Sequence, residues 1–204
     1  MSLFDKFSKL SAARAELGAE GTPPVATPIE DIVSAAEGVI DGKRVILAGT
    51  NNYLGLTLDP DVMSAARQAL DHFGTGTTGS RMANGSYSAH TALEQELASA
   101  FGWPSAMVFS TGYQANLASI ATLAGKDEFL LLDSDSHASI YDGARLGNAQ
   151  TVIFRHNDPE NLDRRLSRLG SDASRALIVV EGLYSMLGDQ PPLAEFIEVK
   201  KRHN

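Results

Sequence analysis

The sequence predicts an α/β fold in three layers, a mainly parallel sheet covered by helices on both faces. From residue 89 to the end, short continuous apolar runs alternate with stretches patterned as helices. Continuous rather than alternating apolar runs are those of strands buried on both faces, which parallel pairing with helical crossovers requires. The composition agrees, with 204 residues, 43% of them apolar and 21% charged, enough for a substantial core.

Along the chain, residues 1–20 place Leu3, Phe4, Phe7, Leu10, Ala13 and Leu17 at helical spacing and stop at Gly18 and Gly21, which predicts a surface-laid helix. "GTPPVATP" follows as a linker, because its prolines have no amide to give a ladder. Glu37–Ile40 and Arg44–Leu47 around "DGK" read as a hairpin. The loop "TNNYLGLTLDP" leads to a helix with Pro60 near its first turn and Gly74 past its end. A glycine-rich loop at 74–85 comes next, then a helix over about 89–101 and a strand at 106–110. A helix opens directly after "STG" at 110–112. The remaining order is strand 129–132, a polar turn, a short helix near 139–147, strand "TVIFR", helix 159–169, strand "ALIVVEG" and helix 193–203. Residues 1–44 thus form an N-terminal helix, linker and start of a hairpin, and 45–204 the α/β portion.

With 17 basic and 25 acidic residues the formal net charge is −8, which disfavours nucleic acid or an anionic membrane as partner. No cysteine is present, so disulfides and thiolate sites are excluded and a reducing, cytoplasmic setting is expected. No run approaches the about 20 apolar residues of a membrane span.

In a parallel sheet, ligands sit off the carboxyl ends of the strands. Gly112, His137, His156 and Ser185 each fall within a few residues of such an end. "FSTGYQAN" delivers Ser110, Thr111 and Gly112 onto a helix start, where unpaired amides and the helix dipole suit a phosphate, or where Ser or Thr is simply the cap. In "DSDSHASIYDG", His137 is either a hydrogen-bonded turn residue or an imidazole that stacks on a flat ring or moves a proton. Ser136 and Ser139 flank it and either could cap the next helix, and Asp142–Gly143 reads as a second polar turn. "EGLYSMLGDQPPL" adds Glu181, Ser185 and Asp189 to the same rim. His156, in "FRHNDPENL", reads mainly as part of a helix start, and His72, His90 and His203 as helix-end or packing residues. "GTGTTG" at 74–79 follows a helix rather than a strand, so it is not read as a dinucleotide fingerprint. No G-x-S-x-G elbow and no zinc spacing occurs.

Taken together, "TNNYLGL", "GTGTTGSRMANGSYSAHTALEQELASAFG", "VFSTGYQANLASIATL", "DSDSHASIYDG", "FRHND" and "EGLYSMLGDQPPLAE" resemble the α-oxoamine synthases, pyridoxal-phosphate (PLP) enzymes of fold type I. The pieces run in that family's order from about residue 45. The wording of "GSRMANG", "DSHASIYDG" and "EGLYSMLGD" is most similar to its bacterial serine palmitoyltransferase branch, with aminooxononanoate synthases, glycine C-acetyltransferases and aminolevulinate synthases as close relatives. The resemblance implies the large domain of fold type I, incomplete at its C-terminus and without the small C-terminal domain. It implies condensation of an amino acid, serine in the nearest branch, with an acyl-CoA and loss of carbon dioxide, in a homodimer.

By the same resemblance, Gly112 and Tyr113 hold the cofactor phosphate, His137 stacks on the pyridine ring and contacts the amino acid, Ser185 lies near the ring hydroxyl, and Asn52 lies near the substrate. The family's pyridine-binding Asp and Schiff-base Lys fall after a helix like "LAEFIEVKKRHN", and none of Lys6, Lys9, Lys43, Lys126, Lys200 and Lys201 stands in a matching context. The chain alone is therefore expected to be an inactive N-terminal part of such an enzyme. A non-catalytic, partner-binding role is the reading from another class.

Overall fold

The computed structural model describes residues 4–19 and 27–203 and divides into two compact units, Met1–Tyr87 and Ser88–Asn204. In the first unit, a 3-10 turn at Asp5–Phe7 runs into helix α1, Ser8–Ala19, with Phe4, Phe7 and Leu10 exposed. Residues 21–26 of the expected linker lie outside the described residues.

The hairpin forms as β2, Glu37–Ile40, against β3, Lys43–Ile46. Asp41 and Gly42 make its turn with φ of 50° and 67°, the left-handed pair that matches strand twist in a two-residue loop. A strand that the sequence reading did not include, β1 at Asp31–Ser34, pairs antiparallel with β2. Its residues are mostly exposed, so it carries too little apolar pattern to announce itself. Helix α2, Pro60–Phe73, starts as expected: Asp59 accepts from the Asp61 and Val62 amides, and Pro60 sits where no amide is needed. The glycine-rich loop closes on itself, with the Gly85 amide donating to Ser80 at 2.8 Å. A Cβ on Gly85 would lie 1.8 Å from the Gly79 carbonyl oxygen, so this glycine serves a close approach of backbone to backbone.

The second unit holds helix α3, Ser88–Phe101, helix α4, Gly112–Leu123, and a parallel sheet. Its strands are β4, Phe129–Asp133, β5, Gln150–Phe154, and β6, Ala176–Val179, in the order β5-β4-β6. Helices α5, Ala138–Leu146, α6, Pro159–Leu169, and α7, Leu193–Arg202, complete it. Three successive leucines in the central strand explain the layers. Because strand side chains alternate, Leu130 and Leu132 pack with Ile120, Ala124 and Ile140 of the α4–α5 side. Leu131 points the other way, into Phe154, Leu162, Leu166, Phe196 and Val199 of the α6–α7 side. The expected three-layer α/β arrangement is therefore present, with both faces of β4 buried.

Two local expectations change. The run 106–110 enters no strand ladder among the described residues. The Val108 amide donates instead to Glu94 at 2.9 Å, and an apolar run becomes a strand only where a neighbour offers a matching edge. Asp142–Gly143 is not a turn but lies inside α5, where glycine permits close helix packing: a Cβ there would meet Ile120 Cβ at 3.0 Å.

Leu162 is fully buried, whereas Ile46 is 78% exposed. Leu162→Ala is expected to lower stability by about 2–5 kcal/mol and Ile46→Ala by less than about 0.5 kcal/mol, read from urea midpoints followed by circular dichroism.

Candidate functional site

The carboxyl ends of β4 and β5 deliver their next residues to one rim, and the chemistry there is organised by Asp133. Its side chain is wholly buried at the last position of β4. It accepts from the Asp135 amide at 2.9 Å, the Asn157 amide at 2.9 Å and His156 Nδ1 at 2.7 Å. Three donors offset the desolvation of a buried carboxylate, which uncompensated would cost several kcal/mol.

His156 is held from both sides. Nδ1 bonds Asp133, Nε2 bonds Asp189 at 2.9 Å, and Asp135 stands 3.5 Å from Nδ1. Carboxylates only accept, so a carboxylate at each ring nitrogen favours the doubly protonated imidazolium. Burial opposes that charge, but the hydrogen bonds and charges of Asp133 and Asp189 outweigh it and raise the pKa above the usual histidine value. The ring also meets the buried Tyr184 edge-on, with centroids 4.5 Å apart. Burial is the main reason that the Tyr184 phenol is held well above its ordinary pKa.

Asn157 completes the knot in a left-handed conformation, φ 48°, which asparagine tolerates better than most residues. Its amide nitrogen donates to Asp189 at 2.9 Å and to the Gln190 carbonyl at 3.2 Å. The loop after β6 is thereby fastened to the ends of β4 and β5. Within it, the Tyr184 amide donates to the Asp189 carbonyl and the Gly188 amide to Tyr184. Asp133, Asp135 and His156 bring three ligand-type atoms within 4.8 Å of one another, and His156 Nδ1 is hydrogen-bonded to Asp133 within that group.

His137 lies on the same rim. Its backbone amide donates to Glu181 at the start of that loop. Contrary to expectation, neither Ser136 nor Ser139 caps α5: His137 is itself the N-cap, its Nδ1 accepting from the Ser139 amide at 3.2 Å. Ser139, fully buried, also places its hydroxyl 2.7 Å from Nδ1 and accepts from Asn116 of α4 at 2.9 Å. Tyr141 ties α5 back to the strand end by donating to the Ser134 carbonyl at 2.9 Å.

Gly112 and Tyr113 open α4. Thr111 is the N-cap, accepting from the Gln114 amide at 3.1 Å. The amides of Gly112 and Tyr113 come before any carbonyl within the helix that could accept them. Among the described residues, apart from Gly112's chain neighbours and the backbone of α4 itself, nothing lies within 4 Å of where a Gly112 Cβ would be. The Tyr113 hydroxyl donates to Asp142 of α5, and that bond, foremost, lowers the Asp142 pKa and raises that of Tyr113. Arg145 adds a 2.8 Å ion pair to Asp142.

Ser185 is exposed in the loop after β6, next to buried Tyr184. Asn52 belongs to the first unit, where its amide donates to the Ala35 carbonyl at 2.9 Å and its oxygen accepts from Thr57 at 3.4 Å. Of the residues read from the sequence, His137 is linked by bonds to α4 and to the loop after β6. The weight of His156 is not apparent from the sequence. Its signal was position, two residues past a strand end, masked by the valid helix start in the same words: Asp158 does cap α6, with Pro159 first. His203 likewise does more than face a helix dipole, bonding Asp163 of α6 at 2.8 Å.

A raised folded-state pKa contributes stability that is complete below the unfolded value, about 6.5, and is lost as pH rises through the folded value. The melting-temperature advantage of the native chain over His156→Gln is therefore expected to be largest near pH 6 and to shrink on going to about pH 9. Thermal melts of both proteins across that range check it.

Residues 43–204 match the family described as aminotransferase class I and II. A serine palmitoyltransferase from Caulobacter vibrioides is 53% identical over 98% of this chain and 50% of its own length. A putative 8-amino-7-oxononanoate synthase from Desulforudis audaxviator is 45% identical over 83% of the chain and 43% of its own length. Among solved structures, serine palmitoyltransferase from S. paucimobilis with bound PLP-myriocin aldimine superposes with a TM-score of 0.96 at 52% identity, over all of this chain and 51% of that one. The chain thus spans about half the length of the curated relatives it matches. With most of its length matched to one family, the chain belongs to the aminotransferase class I and II family.

Proposed function

We propose that this stretch is the N-terminal part of a PLP-dependent acyltransferase of the serine palmitoyltransferase type, joining serine to a long-chain acyl-CoA with release of carbon dioxide. What supports the reading is an imidazole held at the start of α5 and bonded through Ser139 to Asn116 in the second turn of α4, whose first amides have no acceptor within the helix. The donor set suits the cofactor: main-chain amides and a helix N-terminus favour the phosphate, and a flat imidazole suits a pyridine ring. The similarity to serine palmitoyltransferases adds the substrate class.

In this reading residues 45–204 supply cofactor-binding surface. Gly112 and Tyr113 bind the phosphate through their amides, with Asp142 steadying the Tyr113 hydroxyl. His137 lies against the pyridine ring and meets the amino acid, Ser185 approaches the ring hydroxyl, and Asn52 serves the substrate side. Pyridoxal phosphate, when bound, supplies the electron sink for bond breaking at the amino acid's α-carbon. The Schiff-base lysine and pyridine-binding aspartate that the resemblance implies are not among these 204 residues, and the condensation is proposed for a protein that supplies them. A homodimer in the cytoplasm is part of the same proposal; no helix among the described residues is long and apolar enough to cross a membrane. The 45% identity to an oxononanoate synthase favours, as second reading, the same chemistry with another amino acid and acyl donor.

Adding pyridoxal phosphate to the isotope-labelled chain is expected to shift the amide signals of Gly112 and Tyr113 and the ring signals of His137, with inorganic phosphate competing. His137→Ala should weaken binding by about 0.5–1.5 kcal/mol, up to roughly tenfold, as loss of one ring contact does. Shifts confined to other residues would contradict the assignment.

A further inference from the structure

We infer that Ser139 and Asn116 are positioning residues that fix His137 in one neutral tautomer, with the proton on Nε2, so that the ring presents a hydrogen-bond donor to whatever ligand it faces. The use of that donor toward a cofactor or substrate rests on the function proposed above; the tautomer itself does not.

A backbone N–H can only donate, and the Ser139 amide points at His137 Nδ1 from 3.2 Å. Nδ1 must then offer its lone pair, and in a neutral imidazole the proton resides on Nε2. This bond is also the cap of α5, so the helix start and the tautomer are set by one contact.

The hydroxyl reinforces it. Ser139 Oγ lies 2.7 Å from Nδ1 and receives a bond from Asn116 Nδ2 at 2.9 Å. With its lone pair turned toward Asn116, the hydroxyl sends its hydrogen to Nδ1. Asn116, Ser139 and His137 form a relay in one direction, from amide nitrogen to hydroxyl to ring. Ser139 is completely buried, so no solvent competes for its hydroxyl, whereas His137 is exposed. Close packing of α4 on α5 at Gly143 and Ile120 keeps Asn116 within reach. A base at this position would need Nδ1 or Nε2 free to take a proton. Here Nδ1 is occupied by two donors and Nε2 already carries hydrogen, so the outward edge donates.

The test is a two-bond nitrogen–proton correlation spectrum of the ligand-free chain with labelled histidine, recorded well above the ordinary imidazole range so that only neutral rings contribute. The expected pattern for His137 is that of a single Nε2–H tautomer. An Nδ1–H pattern, or an averaged mixture of the two, overturns the proposal.

A near-isosteric variant tests the relay. In Asn116→Asp the carboxylate can only accept, so the Ser139 hydroxyl turns toward it and shows Nδ1 a lone pair. The Ser139 amide alone then favours Nε2–H, so the Nδ1–H form should rise at least several-fold from a minor population without becoming dominant, while circular dichroism and α5 amide signals stay native. An unchanged tautomer in a folded Asn116→Asp chain removes Asn116 from the relay and overturns that part. Pyridoxal phosphate binding, measured on the same samples, keeps the two readings separate. A locked Nε2–H ring with no cofactor binding contradicts the cofactor assignment and leaves the lock intact; binding with a mixed tautomer does the reverse.

Discussion

The buried carboxylate of Asp133 is the constraint on which the rest of the rim depends. A strand that must be apolar on both faces ends in a charge with no exposure to water, and only dedicated donors make that tolerable. Those donors come from the two segments that follow β4 and β5, and through the His156 imidazolium the bond extends to Asp189 in the loop after β6. Three connections that would otherwise leave the sheet independently are drawn to one ion pair. A parallel sheet gathers loops at its carboxyl edge by topology; Asp133 gives them a fixed arrangement.

The proposed function draws on what that arrangement holds in place. The loop after β6, once held, puts Glu181 against the His137 amide. The α5 start, capped by His137 itself, bonds through Ser139 to α4, and Tyr113 bonds across to Asp142. The helix start, the imidazole and the loop are thus positioned by different bonds in one connected set. A rigid imidazole and open main-chain amides suit a flat, phosphorylated ring better than a small apolar ligand. The relatives' similarity and the local chemistry support one reading by independent routes.

Much of this was legible in the sequence because it obeys local rules. The hairpin turn needed two left-handed residues, and "DG" announced them. The capped start of α2 needed Asp59 and Pro60, and the three-layer core needed uninterrupted leucines in β4. What escaped depends on partners distant along the chain. His156 contacts Asp133, 23 residues before it, and Asp189, 33 after it, distances at which no periodicity speaks. The run at 106–110 has a strand's composition, but composition does not supply an edge to pair with. His137 as a cap was hidden by its two serine neighbours, which are the commoner capping residues, while the decisive atom was a ring nitrogen.

Amide hydrogen exchange in Asp133→Asn tests the central dependence most directly. If the carboxylate organises the rim, residues 181–190 and the His137 amide should lose protection by about tenfold or more, while Leu130–Leu132 in the sheet stay protected. Unchanged protection of that loop in a folded Asp133→Asn chain would contradict the account.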